Sequence, residues 1–149
     1  MIDVRLAVPE DRQIIVDFQL RMARETEGMA LDEPTVQKGV AAVFDDPNIG
    51  RYYIAHEAGK VLGSLLILSE WSDWRNGTVW WIHSVYVVPE ARRRGVFKAM
   101  YAHLKRAVLA SDGLRGLRLY VDRRNTGAQK VYESLGMDGR HYQMYEWMK

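Results

Sequence analysis

Apolar residues recur along this chain with two periods, and the switches between them mark its elements. Residues 2–7 read as a short strand. Pro9 then sits at the first turn of a helix in which Ile14, Phe18 and Met22 stand four apart and define a buried face. Gly28 interrupts the pattern, and the stretch through Asp32 predicts a loop. A second helix starts at Pro34, with Val36, Val40 and Val43 inward, and Asp45-Asp46-Pro47-Asn48 closes it with turn chemistry. Residues 51–56 and 61–68 read as a hairpin across Glu57-Ala58-Gly59-Lys60. The second strand is so apolar that it belongs at the centre of a sheet, buried on both faces.

Residues 69–75 predict a loop carrying two tryptophans and two carboxylates, and Asn76-Gly77 is a tight-turn pair. Residues 79–88 form a long β-branched strand that Pro89 must end. After Gly95, the residues Val96, Met100, Leu104, Ala107 and Val108 give a helix one buried stripe. Residues 117–121 read as a strand. Ala128, Val131, Tyr132 and Leu135 share a helical face between an Asn125 N-cap and a Gly136 stop, and residues 142–147 read as a closing strand. The order β-α-α-β-β-β-α-β-α-β predicts an α/β chain whose mixed sheet is flanked by helices. At 149 residues, with no repeat, low-complexity tract or linker, the expectation is one domain over 1–149.

Composition narrows the chemistry. A net charge of +2 is too small to argue for nucleic acid. The arginines cluster at 92–94 and 123–124, which suits a small polyanion. The chain has no cysteine, which removes disulfides, thiolate metal sites and a cysteine acyl-enzyme. His56, His103 and His141 show no metal-ligand spacing, so no metal is expected. Without a leader or a membrane-length apolar run, the expectation is a cytoplasmic protein with no membrane partner.

The chain is organised around the passage from Val85-Tyr86-Val87-Val88-Pro89 through Glu90-Ala91-Arg92-Arg93-Arg94 into the helix opened by Gly95. A strand–loop–helix of this kind aims unpaired backbone N–H groups and a positive dipole end at one point, beside three arginines. Phosphate is the usual occupant. Neither a Gly-Lys-Ser/Thr nor a Gly-x-Gly-x-x-Gly is present, so the P-loop and the dinucleotide fingerprint both fail. The plainer alternative is a basic loop that caps a surface helix.

Arg92-Arg93-Arg94-Gly95-Val96-Phe97 resembles the Gln/Arg-x-x-Gly-x-Gly/Ala loop of the GCN5-related N-acetyltransferases, the GNAT family. Phe97 departs from the pattern, and its side chain has to point away from the phosphates into the sheet-facing core. Asn125-Thr126-Gly127-Ala128-Gln129-Lys130-Val131-Tyr132-Glu133-Ser134-Leu135-Gly136-Met137 is similar to the family's Asn-x-x-Ala-x-x-x-Tyr-Glu-x-x-Gly-Phe, with Met137 for the final Phe. The element order also matches the family from end to end. The resemblance implies the GNAT-type acyl-CoA N-acyltransferase fold, with a central, mostly antiparallel sheet. It also implies acetyl-CoA as co-substrate and direct attack by a primary amine of a small molecule or peptide in a ternary complex. The backbone of Val85 and Val87 would pair with the pantetheine arm, the amides of Arg93 to Lys98 (Arg93, Arg94, Gly95, Val96, Phe97, Lys98) would take the pyrophosphate, and Tyr132 would be the general acid.

Several roles stay open at this level. Tyr132 is otherwise a core tyrosine, and Asn125 either caps its helix or bonds pantetheine. By period two His83 points the same way as Val85 and Val87, and an imidazole with a pKa of about 6.5 suits a base. Glu70, Asp73 and a water chain are its rivals. Trp71 and Trp74, with Met29 and Leu31, wall an acceptor site, or else cover the sheet end or a homodimer contact. Arg123 and Arg124 are phosphate partners or solvated charges. Two other readings compete with the enzyme: a non-catalytic acyl-CoA-binding sensor or regulatory module, and transfer of a different acyl group.

Overall fold

The computed structural model describes residues 1–149, which divide into two units, Met1–Arg118 and Leu119–Lys149. The first holds β1 (Asp3–Leu6), α1 (Arg12–Glu27), α2 (Glu33–Asp45), β2 (Arg51–Glu57), β3 (Lys60–Ser72), β4 (Gly77–Val87), α3 (Val96–Ala110) and β5 (Leu114–Arg118). Its strands form one sheet in the order β1-β2-β3-β4-β5. Every pairing is antiparallel except β4 with β5, which is parallel. The second unit contains α4 (Thr126–Ser134). The mixed sheet flanked by helices is the architecture that the residue pattern predicts, and its mostly antiparallel pairing is what the family resemblance implies.

Two neighbouring tyrosines show how the sheet is covered. Side chains alternate along a strand, so Tyr52 and Tyr53 of β2 point to opposite faces. The Tyr52 ring lies 5.8 Å from Phe44 of α2, and the Tyr53 ring 5.6 Å from His103 of α3. Helices α1 and α2 therefore cover one face and α3 the other. On the α1/α2 face Ile15, Val16, Val40, Val43, Tyr52 and Ile54 form a buried cluster. Val96, Met100 and Leu104 of α3 are likewise buried, as their spacing predicts.

Four expectations need correction. The inner face of α1 centres on Ile15, Val16 and Phe18, with Ile14 and Met22 only half-buried, because apolar residues at 14, 15, 16 and 18 turn the stripe away from the i, i+4 row. Residues 69–72 are strand, not loop, since their ladder with β4 runs on from Ser69↔Trp80 to Ser72↔Gly77. The fifth strand starts earlier than 117, where Gly113 accepts the Thr78 N–H at 2.9 Å, and stops at Arg118. The closing strand over 142–147 does not form. Its alternation is real, but no neighbouring strand supplies a ladder, and Tyr142, Tyr145 and Trp147 stand exposed.

The start of the chain is pinned to α1 by one carboxylate. Asp11, 7% exposed, accepts Arg5 Nη1 at 2.6 Å, Arg5 Nη2 at 3.0 Å and the Val8 N–H at 2.8 Å. The Arg5 hydrogen bonds hold the Asp11 carboxyl below its ordinary value of 3.8. Asp11→Ala should cost about 1–2 kcal/mol at neutral pH, the worth of the lost charge-assisted bonds beside an Arg5 that water still reaches. Because the folded-state pKa is lowered, that contribution is complete above the unfolded value. It is lost as the pH falls through the folded one. Chemical denaturation of both proteins should show a gap at neutral pH that closes in strong acid.

Candidate coenzyme site and its flanking residues

The ladder between β4 and β5 ends at Trp81↔Arg118. Beyond it, residues 84–87 of β4 find a ladder partner only in β3, so the other edge presents backbone groups to any extended ligand. The same stretch contains an irregularity. His83 and Tyr86 are three positions apart on β4, while their partners Leu66 and Ser64 are two apart on β3. The surplus residue sits at Ser84, whose φ is +52°, and such a bulge twists and re-aims a strand. Gly63 makes room for it, since a Cβ there would lie 2.5 Å from the Tyr86 carbonyl oxygen.

The bulge overturns one sequence inference. With a residue inserted at Ser84, His83 falls on the face of Tyr86, and Val87 points to the other side. His83 therefore looks toward α1 and α2, not along Val87 toward α3.

Beyond Val87 a single 3₁₀ turn, Pro89–Ala91, leads into the arginine loop. Arg93 and Gly95 take left-handed φ values of +63° and +81°. Arg93 does so against the usual cost of about 1–2 kcal/mol for a side-chain-bearing residue. The chain then enters α3, where the N–H groups of Gly95, Val96 and Lys98 have no acceptor in the protein. A Cβ placed on Gly95 would meet nothing within 4 Å, so the space before these amides is open. Backbone donors left in this arrangement can receive an anion. Phe97 does not enter the core, contrary to expectation. Val96 occupies that position, 2% exposed, while the half-buried Phe97 lies along the helix with its ring 6.3 Å from Tyr101.

Two of the three loop arginines are already neutralised. Arg92 Nη2 donates to Glu25 Oε2 at 2.6 Å and its Nε to the Val87 carbonyl at 3.0 Å. Arg94 Nη2 donates to Glu57 Oε2 at 2.5 Å. Arg93 and Lys98 are exposed beside the open amides.

On the α1/α2 face of β3 and β4, Glu70 accepts Arg118 Nη1 at 2.6 Å on one oxygen and the Trp81 indole N–H at 3.2 Å on the other. The Trp81 ring stacks at 6.1 Å on His83. Burial pushes the His83 imidazole below its ordinary 6.5, so it is neutral at neutral pH. Glu70, with both oxygens engaged, is the less available base. Trp71, next along β3, projects from the opposite face and is 64% exposed. Trp74, in the turn, is 89% exposed. The structure does not gather Glu70, Trp71 and Trp74 into one wall. Met29 lies exposed just past α1, its N–H bonded to the Ala23 carbonyl at 3.2 Å.

In the second unit Asn125 caps α4, its Oδ1 accepting the Ala128 N–H at 3.1 Å. Tyr132 is half-buried, and burial raises its phenol above the ordinary 10, so it holds its proton at neutral pH. Arg124 is engaged by Asp122 through Nε at 2.9 Å and Nη2 at 2.5 Å. Sequence reasoning missed Ser84, Gly63, Glu25, Trp81 and Arg118. A glycine inside an apolar strand was the one available signal, because it marks a bulge or a close backbone approach.

A family model described as acetyltransferase (GNAT) family matches residues 16–137. A mycothiol acetyltransferase of Thermobispora bispora is 33% identical over 90 residues, which are 57% of this chain and 29% of that protein. The match thus spans less than a third of the curated relative. The crystal structure of a possible acetyltransferase from Clostridium difficile 630 is 39% identical, with a TM-score of 0.91 over 100% of this chain and 98% of that one. A protein from Clostridium acetobutylicum described as a predicted acetyltransferase, crystallised with acetyl-CoA, shares the fold at a TM-score of 0.74 and 18% identity, covering 98% of this chain and 96% of that one. With its model matched from within α1 to just past α4, the chain belongs to the acetyltransferase (GNAT) family.

Proposed function

We propose that this protein transfers an acetyl group from acetyl-CoA to a primary amine of a small molecule or peptide, by direct attack in a ternary complex, and that residues 1–149 work as one domain. The observation that carries the reading is the run of open backbone in one unit. The edge of β4 over 84–87, beyond the β5 ladder, leads into the uncapped amides of Gly95, Val96 and Lys98. An extended arm ending in a pyrophosphate fits that chemistry, and the acetyl-CoA bound by the Clostridium acetobutylicum relative supports the choice. The backbone of Val85 and Val87 would hold the arm, and the amide cradle the pyrophosphate, with Arg93 and Lys98 beside it.

When bound, acetyl-CoA supplies the acetyl thioester. The remaining chemistry falls to side chains of this chain. The incoming amine has to lose a proton, and His83, neutral because it is half-buried, accepts it. The leaving sulfur gains negative charge, and the Tyr132 phenol, protonated at neutral pH, donates to it. Glu70, Trp81 and His83 share one face, and we assign that face to the acceptor, with Met29 at its margin. Much of the rate would come from holding the reactants together, an effect that can supply roughly 7–11 kcal/mol.

The coenzyme reading has a direct test. Acetyl-CoA should raise the melting temperature of the protein, and adenosine alone should not. Gly95→Asp would put a carboxylate in the open space before the amides. It should remove the shift while the unliganded protein remains folded by circular dichroism. Normal binding by that variant would refute the loop assignment.

The assignment of acid and base separates once an amine substrate is found, with thiol release as readout. Tyr132→Phe should lower kcat by roughly 10²–10⁴, the range of a positioned acid, with coenzyme affinity unchanged. The rate should fall on the acidic side as His83 gains a proton. Since burial lowers its pKa, that limb should lie below pH 6.5. His83→Gln should abolish or shift it. An acidic limb unaffected by His83→Gln would return the base to water or a carboxylate.

A further inference from the structure

Glu25 stands near the end of α1, far in sequence from the arginine loop, yet its carboxylate is where three elements meet. Its Oε2 takes the 2.6 Å hydrogen bond from Arg92, and its Oε1 accepts the Tyr86 hydroxyl at 3.0 Å. Tyr86 follows the Ser84 bulge on β4, and its ring packs 4.9 Å from Phe18 of α1. The Arg92 guanidinium lies 5.6 Å from the centre of the same ring, while its Nε holds the Val87 carbonyl at 3.0 Å. Arg92 is thus gripped by a carboxylate, an aromatic face and a main-chain oxygen. The neighbouring cation on α1, Arg21, is engaged by Asp17 at 2.9 Å and also meets the Tyr86 hydroxyl.

Arg92 is also the last residue before the left-handed Arg93. It has φ −64° and ψ 148°, and the next residue has φ +63°. A strained turn persists only where its surroundings over-determine it. The fixed point on the entry side of this one is the Arg92 side chain.

Resting on the reading of this loop as the coenzyme site, we infer that Glu25 is a positioning residue for coenzyme binding. It clamps Arg92, and so holds the loop in the shape that aims the amides of Gly95, Val96 and Lys98 at the pyrophosphate. Arg92 acts as the receiving half of that strut and not as a phosphate ligand.

The two roles for Arg92 predict opposite signs for one substitution. If Arg92 were a phosphate ligand that Glu25 restrains, Glu25→Gln would release it, and coenzyme affinity would hold or rise. If Glu25 is the strut, Glu25→Gln should weaken binding by roughly two- to fivefold, the order of an ion pair that stays partly in water. Arg92→Gln should weaken it similarly, and the double variant should lose no more than either single one. Titration calorimetry with coenzyme A as the probe reads all four proteins, with circular dichroism of the unliganded forms as a check on folding. Tyr86→Phe removes only the hydroxyl and should give a smaller loss of the same sign. It keeps the inference falsifiable if Glu25→Gln does not fold.

Wild-type protein that fails to bind coenzyme A would overturn the coenzyme reading and this inference together. Wild-type binding with equal or tighter binding by Glu25→Gln would overturn the inference alone. Additive losses in the double variant would also overturn it, since independent losses mean that Arg92 reaches the ligand by itself.

Discussion

One surplus residue in β4 sets the terms for everything around it. With Ser84 at φ +52°, the strand cannot keep a regular alternation from Gly77 to Val87. The half before the bulge carries Trp81 and His83 on the α1/α2 face and pairs with β5 as far as Trp81. The half after it turns Val87 toward the α3 face and leaves one backbone edge unpaired. A sheet normally avoids open edges because they recruit other chains. This one keeps such an edge in its middle, where α3 begins. Gly63 is the condition for it, because any side chain there would collide with the Tyr86 carbonyl. The constraint thus spans two strands: a left-handed residue on one needs a missing side chain on the other.

How much of this the sequence reveals depends on the range of the interaction. Local rules recovered what local physics controls. Asp32 accepts the Thr35 N–H at 3.1 Å and Asn125 caps α4, both at helix starts where turn chemistry and Pro34 pointed. The arginine loop was legible for the same reason, since a proline, a glycine and a switch of period occur within a few residues. Ser84 was not legible. Nothing distinguishes a serine in a β-branched run that will take a positive φ from one that will not. That choice depends on Gly63, which is remote in sequence, and it made the alternation argument for His83 come out on the wrong face.

The strand boundaries failed for a related reason. Alternation records a capacity to pair, and pairing needs an edge. Residues 69–72 look like loop because tryptophan and charge crowd together, yet β4 offers them a ladder and they remain strand. Residues 142–147 look like strand and find no ladder, so their aromatics stay exposed. The side-chain networks lie further still from sequence rules. Arg92 and Glu25 are separated by 67 positions, and Arg118 and Glu70 by 48, so neither pair leaves any periodic trace.

Those networks change what a basic loop means. Three consecutive arginines suggest an attraction by net charge, but Glu25 and Glu57 cancel two of them at hydrogen-bond distance. A loop whose affinity came from bulk charge would gain nothing from keeping carboxylates so close. A loop whose affinity comes from oriented amides gains shape, because each carboxylate fixes an arginine and Arg92 in turn holds the Val87 carbonyl. Backbone dipoles fall off steeply with distance, so a cradle of this kind must be held accurately to be strong. The departure at Phe97 is consistent with that economy. The cradle needs the amides on either side of this residue and the left-handed turn at Gly95. Since Val96 fills the core, a large side chain can lie back along α3 without occupying the open space in front.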